Sequence, residues 1–255
     1  MILNTHTIFP DGVIADACNH AKDTFPNESC GVIYEDGYIP FENKSDNVSN
    51  SFLINDPLFD NLYIEDKVKC IIHSHNDHGH ASKGDQIQQQ ELDLPFGIIN
   101  LKNKSITQIA FWGESIPTEP LMKRTFFFGV WDCFALVRDF LIQKYNIIPP
   151  DPPREYGFWL RNESVFEDWI QEGKTPFRKI SNFKNVLPGD VLFYNLFGNK
   201  YINHCGVVSD DNLVLHHFEH RVSTKTPISF CQESLRYIYR LDKSLLGNEY
   251  EGWEL

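Results

Sequence analysis

The first third of the chain combines helical and extended hydrophobic patterns. Residues 13–24 carry apolar side chains at intervals of three and four, and Pro26 follows as a helix terminator. Residues 28–34 then run into an extended apolar segment, which a polar turn at 35–37 separates from a second segment at 38–41. The pattern predicts a helix followed by a β-hairpin.

A further strand-like segment at 68–72 is short and apolar, and it leads into His73 and, two residues on, His75. Side chains two residues apart on an extended strand point to the same face, so these two rings can converge on one point. Asp85 precedes a predicted helix at 86–92, and from the first turn its carboxylate can reach that point. Two histidines and one aspartate leave a fourth position for water, as in catalytic zinc sites.

The second half of the chain begins with an apolar, aromatic segment at 126–130 and continues as a helical pattern through residue 141. Asp132 is suited to cap this helix, which puts Cys133 in the first turn. There the helix dipole and unpaired amide N–H groups favour a thiolate and can stabilise an oxyanion. The alternative is a buried core cysteine, the commoner state of this residue.

Three strand-like segments follow. One lies at 191–194 after a Pro-Gly-Asp turn, one opens with His204, and one at 213–215 ends in His216 and His217. A thiol near a helix N-terminus, with imidazoles on adjacent antiparallel strands, is the arrangement needed for a Cys–His nucleophile and an orienting third group. His216 and His217 both remain candidates for that third group, and His216 is favoured because it directly follows the apolar strand.

Composition and charge indicate a folded protein of two units. The 255 residues are 42% hydrophobic and 14% aromatic, which is enough for substantial cores. The net charge of −12 is unevenly divided, with −10 in residues 1–115 and −2 in residues 116–255. A proline-containing connector supports a domain boundary near Ile116. The acidic surface disfavours nucleic-acid binding, and neither a membrane-spanning run nor a signal-peptide pattern is expected. The six dispersed cysteines are expected to be reduced.

The motifs of the first domain resemble the JAB/MPN (JAMM) metallopeptidases. The matching features are Glu28 within Pro-x-Glu-x-Cys-Gly, the His73-x-His75 pair, and Ser82 three residues before Asp85. The resemblance implies a mixed sheet with flanking helices and a zinc ion bound by His73, His75 and Asp85. It also implies that Glu28 holds and deprotonates the metal-bound water and that Ser82 steadies the oxyanion. A His-x-His pair by itself is equally typical of surface histidines.

The loop between the second histidine and the serine departs from that family. The family usually has seven residues there, often beginning with proline, whereas Asn76–Ala81 has six and begins with asparagine. Its His78 and His80 are candidates for spare ligands, substrate contacts or exposed imidazoles, and the last is favoured.

The motifs of the second domain resemble the NlpC-type branch of papain-like cysteine peptidases, which have a helix packed on an antiparallel sheet. The matching residues are Asp132-Cys133, Pro188-Gly189-Asp190, His204-x-Gly206 and His216. The resemblance implies that Cys133 is the nucleophile and forms an acyl-enzyme, that His204 is the general base, and that His216 orients it. Members of the family often have an aromatic residue before Asp-Cys that contacts the substrate amine, and here that region holds Phe127, Phe128 and Trp131 in place of a clear tyrosine.

Together the two domains resemble the tail tip assembly proteins of lambda-like long-tailed phages. The resemblance implies an α+β protein made in the host cytoplasm and carried in the virion, with other tail tip proteins and peptidoglycan as partners. The implied function is a cysteine endopeptidase that cleaves peptidoglycan stem peptides during cell entry, usually between γ-D-glutamyl and a diamino acid, beside a zinc-dependent peptidase or isopeptidase of unknown substrate. The alternatives are a structural tail protein with inactive enzyme folds and a maturation protease of tail proteins.

Overall fold

The chain folds as two compact α+β units, residues 1–117 and residues 118–255. The computed structural model describes residues 9–76, 79–171, 177–181 and 185–242. Within those ranges, none of the helices has both the length and the apolar character needed to cross a bilayer.

The first unit is a five-stranded mixed sheet in the order β2-β1-β3-β4-β5, in which only the β3–β4 pair is parallel. The strands are β1 (Cys30–Tyr34), β2 (Gly37–Phe41), β3 (Val68–Asn76), β4 (Phe96–Lys102) and β5 (Ser105–Trp112). The helices are α1 (Asp11–Thr24), α2 (Pro57–Ile64) and α3 (Lys83–Leu92). The mixed sheet and its helices match the architecture expected for this unit.

One face of the first sheet packs against α1. The small side chains of Ala17 and Ala21 are fully buried there, against a cluster that includes Ile33, Ile72 and Ile99. Burying each large aliphatic side chain in this layer contributes about 1.5–3 kcal/mol. Because side chains alternate along a strand, the residue after Ile72 points to the opposite face of β3. That opposite face carries the two histidines predicted to bind zinc.

The second unit is a six-stranded sheet in the order β10-β9-β8-β7-β11-β6, antiparallel throughout. The strands are β6 (Phe177–Ile180), β7 (Val191–Tyr194), β8 (His204–Val208), β9 (Leu213–His216), β10 (Thr224–Pro227) and β11 (Leu235–Leu241). The helices are α4 (Cys133–Tyr145) and α5 (Val165–Gln171), with 3-10 turns at Phe158–Arg161 and Gln232–Ser234.

Helix α4 packs on the second sheet through an aromatic core. Phe134 on the helix stacks with Phe166, which in turn contacts Phe193 on β7. The proline-rich loop at 149–153 is partly buried, and Arg154 just after it is fully buried. The loop is drawn inward because the Arg154 guanidinium pairs with carboxylates beneath it, as described below.

Candidate functional sites

The first candidate site lies in the first unit, where His73 and His75 on β3 meet Asp85 on α3. The Nε2 atoms of His73 and His75 lie 3.0 Å apart. The two carboxylate oxygens of Asp85 lie 3.3 Å from His73 Nε2 and 3.4 Å from His75 Nε2. All three side chains are buried. The sequence placed both histidines just beyond the end of a strand. In the structure β4 pairs with β3 as far as Asn76, so the histidines lie within β3.

Asp85 is fixed by the start of α3. Ser82 is the N-cap residue, and its hydroxyl accepts a hydrogen bond from the Asp85 backbone N–H at 3.1 Å. In return the Asp85 carboxylate accepts the Ser82 N–H at 2.7 Å, which completes a capping box. Burial favours the neutral carboxyl, but the two neighbouring histidines hold the pKa of Asp85 well below its usual range. The positions predicted for Ser82 and Asp85 therefore form one rigid unit.

The geometry of this cluster fits a tetrahedral zinc ion. Zn–N and Zn–O bonds of about 2.0–2.1 Å place neighbouring ligand atoms about 3.3 Å apart. The separations among His73, His75 and Asp85 are close to that value. The Nδ1 atom of His75 bonds to the His80 carbonyl at 2.9 Å, which leaves its Nε2 lone pair directed at the cluster, as is usual for metal-bound histidine. His80 thus contributes a backbone carbonyl, and His78 lies outside the described residues.

Glu28 lies at the entrance to β1, beside the cluster and not within it. Its carboxylate is 3.8 Å from His75 Nε2, and the side chain is buried. Burial raises the pKa of Glu28 to about 7. Backbone hydrogen bonds on both sides hold it in place, one from the Glu28 N–H to Val48 and one from Ser29 N–H to the Ser74 hydroxyl. A buried carboxyl next to three metal-type donors is suited to proton transfer.

The second site is built around Cys133, the first residue of α4. Asp132 is the N-cap, and its carboxylate accepts the N–H groups of Phe134 and Ala135, each at 3.0 Å. The pKa of the Cys133 thiol is lowered, first by a hydrogen bond from Cys205 and then by His204, against the opposing effect of burial. The pKa of Cys205 is raised by burial, so this thiol stays protonated and serves as the donor. Cys205, on β8, is a fully buried core residue that also contacts the nucleophile.

The histidines of this site lie on adjacent strands. His204 Nε2, on β8, is 3.3 Å from His216 Nδ1, on β9. His217 points elsewhere, with Nε2 bonded to the Arg221 carbonyl at 3.1 Å. Of the two candidates for the third group, the structure therefore pairs His216 with His204. Gly206 lies directly opposite His216, and a Cβ atom there would be 2.7 Å from a neighbouring valine methyl and 3.1 Å from His216 Cβ.

The sequence analysis missed a chain of buried and half-buried charges that ends at Asp132, next to the nucleophile. Arg154 forms a bidentate pair with Asp132, with both N–O distances at 2.8 Å. From there arginine and aspartate alternate, with closest N–O distances of 2.5–2.9 Å, and we call this set the ion-pair chain: Asp132, Arg154, Asp151, Arg138, Asp139 and Arg124. Its formal charge is zero. Because Arg154 follows an irregular proline-rich loop, neither periodicity nor spacing marks it in the sequence.

A cavity of about 840 Å³ opens over the second site. Cys133, His204 and His216 lie at its base, and its walls are largely aromatic. Phe127, Phe128 and Trp131, which precede the nucleophile, are all buried, and of the three Phe128 lines the cavity. The aromatic residues of the lining are Phe126, Phe128, Phe158, Trp159, Phe166, Phe197, Phe218 and Phe230. A peptide-sized substrate fits such a cavity.

Comparison with known proteins supports this description of the second unit. Residues 112–238 match the NlpC/P60 family. The chain is also 29% identical over 241 residues to tail tip assembly protein K of Escherichia phage N15, which covers 90% of this chain and 94% of that protein. With tail tip assembly protein K of Escherichia phage lambda it shares 26% identity over 163 residues, covering 64% of this chain and 75% of that protein. The second unit is thus similar to NlpC/P60 domains, and the chain as a whole is similar to phage tail tip assembly proteins.

Proposed function

We propose that this chain is a phage tail tip assembly protein whose second unit is a cysteine endopeptidase acting on the peptide stems of peptidoglycan during cell entry. The observation that carries the proposal is the line from Cys133 through His204 to His216 at the base of an open cavity. The NlpC/P60 match and the two tail tip relatives support the same conclusion. Other tail tip proteins are the expected partners, and the virion is the expected location.

The chemistry follows from the position of each group. His204 accepts the Cys133 proton, and the thiolate attacks the peptide carbonyl while the N-terminus of α4 favours the negative charge that develops. His204 then returns the proton to the departing amine. Water hydrolyses the acyl group from the sulfur, with His204 again acting as the base. His216 keeps the His204 ring oriented through both steps.

For the first unit we propose a zinc-dependent peptidase or isopeptidase of the JAB/MPN type. His73, His75 and Asp85 would hold the ion, and their spacing supports this donor set. Bound zinc supplies Lewis acidity, which lowers the pKa of a coordinated water to about 7. Glu28 would accept a proton from that water and deliver it to the leaving amine, and Ser82 would steady the oxyanion.

The first experiment is digestion of purified Gram-negative peptidoglycan, with released fragments identified by mass spectrometry. The wild-type protein is compared with Cys133→Ala and His73→Ala. New stem-peptide fragments that disappear only in Cys133→Ala support the wall endopeptidase. If a folded, zinc-loaded wild-type protein releases no fragments, the wall assignment fails.

The names of the two relatives, both tail tip assembly proteins, favour a second candidate function, a role in tail assembly. In its catalytic form the protein trims other tail proteins, and particles carrying Cys133→Ala or His73→Ala then contain uncut precursors. In its structural form both variants assemble normal particles that infect normally. The wall peptidase predicts normal protein bands and poor entry for Cys133→Ala.

A further inference from the structure

The line of side chains at the cysteine site does not end at His216. His216 Nε2 is 3.1 Å from the hydroxyl oxygen of Thr226 on β10. In the β9–β10 register Thr224 lies opposite His216 and Thr226 lies opposite Val214, so the Thr226 and His216 side chains share one face. Thr226 also lines the cavity above Cys133. Sequence spacing gives no signal for this contact, since Thr226 lies on a short, polar strand.

Only one placement of the ring protons allows the hydrogen bonds from His204 through His216 to Thr226 to form. To accept the Cys133 proton, His204 must present a lone pair toward the sulfur, so its own proton resides on Nε2. That N–H then donates to His216 Nδ1 at 3.3 Å, which requires the His216 proton to reside on Nε2. The Thr226 hydroxyl oxygen accepts a hydrogen bond from this N–H. In the other tautomer of His216, its Nδ1–H would point at the Nε2–H of His204.

The remaining neighbours of the His216 ring are mainly aromatic. The rings of Phe218 and Phe230 flank it, and the titratable groups that act on its charge are His204 from β8 and the adjacent His217. Burial, with a smaller effect from these two histidines, lowers the pKa of His216 to about 4. His216 is therefore neutral at physiological pH, so its ring has one N–H donor and one acceptor nitrogen.

We propose that Thr226 is a positioning residue of the cysteine site: its hydroxyl accepts a hydrogen bond from His216 Nε2, which holds the His216 ring in the orientation that keeps Nδ1 on the His204 N–H. This inference deepens the proposed peptidase function and rests on it. The Thr226 hydroxyl contacts His216, so its effect on the Cys133 sulfur is expected to pass through that ring.

The test measures alkylation of Cys133 by iodoacetamide from pH 4 to pH 9 in Thr226→Val, which keeps the shape of the side chain and removes the hydroxyl. Cys231→Ala is present in every protein, because Cys231 also lines the cavity, whereas Cys205 is left in place since it is buried and keeps its proton; near-ultraviolet circular dichroism verifies folding. We expect Thr226→Val to shift the alkylation midpoint upward by about one pH unit, which slows alkylation about tenfold at a pH below the wild-type midpoint, the value of one lost hydrogen bond. Thr226→Ser, which retains the hydroxyl, restores the profile.

A double-mutant cycle distinguishes positioning from a general structural effect. In the His216→Ala background, the Thr226→Val change is expected to have no further effect, since both act through the same bond. A wild-type profile in folded Thr226→Val, or an undiminished effect in the His216→Ala background, overturns the inference. If Thr226→Val does not fold, Thr226→Ala replaces it with the same expectations. Because alkylation needs no substrate, a wild-type protein that fails to cut peptidoglycan leaves this test intact.

Discussion

Removing Arg154 tests whether the ion-pair chain holds the nucleophile in place. Arg154→Met preserves the length of the side chain but deletes the guanidinium that pairs with Asp132 through two 2.8 Å bonds. Both residues are about 1% exposed, so the carboxylate is left buried without its cation. Breaking a buried ion pair from one side costs about 3–5 kcal/mol. A domain has only about 5–15 kcal/mol of stability in total, so a large effect is expected.

The stability lost in Arg154→Met should depend on pH in a defined direction. Burial favours the neutral form of Asp132, but Arg154 and backbone hydrogen bonds lower its pKa. In the wild type its stabilising contribution is therefore present above the unfolded pKa of about 3.9 and is lost as the pH falls through the lowered folded value. In Arg154→Met, burial prevails and raises the pKa of Asp132, so the penalty grows as the pH rises above about 4. The variant should be less impaired at pH 4.5 than at pH 7.

Calorimetric unfolding of wild type and variant at pH 4.5 and pH 7 measures this difference. At pH 7 the transition of the second unit is expected to fall by roughly 10 °C. Arg161→Met is the matched control, because its pair with Glu163 is exposed and should contribute less than about 1 kcal/mol. Adding Asp132→Asn to Arg154→Met should recover part of the loss, since it removes the orphaned charge. A loss below about 1 kcal/mol, or one equal at both pH values, would refute the reasoning.

Three further predictions concern single side chains. Cys205→Ala should raise the pKa of Cys133 and slow its alkylation at neutral pH, since the donor that most lowers that pKa is lost, while Cys205→Ser should largely retain the wild-type rate. His73→Ala should abolish stoichiometric zinc measured by inductively coupled plasma mass spectrometry, while His20→Ala, in the same unit but away from the cluster, should leave it unchanged. Gly206→Ala should cost about 1–3 kcal/mol in chemical denaturation, because the added methyl meets side-chain carbon at 2.7 Å and carbonyl oxygen at 3.0 Å. Equal zinc content in the two histidine variants, or a neutral Gly206→Ala, would contradict these expectations.

Local patterns in the sequence are sufficient for those features that depend on neighbouring residues. The cap at Asp132 could be predicted because an N-cap aspartate bonds to amides two and three residues later, and the structure has those bonds. The hairpin of β1 and β2 could be predicted from its polar turn. The α+β class and the tail tip resemblance agree with the fold and the relatives.

Features that depend on distant parts of the chain could not be predicted in the same way. Arg154 meets Asp132 across 22 residues, and the segment between them includes an irregular proline-rich loop. Thr226 lies on β10, which has only four residues, Thr-Lys-Thr-Pro, and none of them is fully buried, so no apolar alternation marks them as a strand. The sequence favoured His216 over His217, but the contact of His216 with His204 depends on the β8–β9 register, which sequence spacing does not give.

Both sites join a helix N-terminus to histidines on strands, but the placement of the histidines separates their chemistry. In the first unit the pair occupies positions i and i+2 of one strand, which brings two Nε2 atoms within 3.0 Å and converges them on one point beside Asp85. In the second unit His204 and His216 come from neighbouring strands at diagonal positions, so Nε2 of one ring meets Nδ1 of the other. Converging lone pairs suit a cation, whereas rings in line can carry a proton relay to a thiol. The helix ends serve both, because their partial positive charge favours an ionised Asp85 in one unit and an ionised Cys133 in the other.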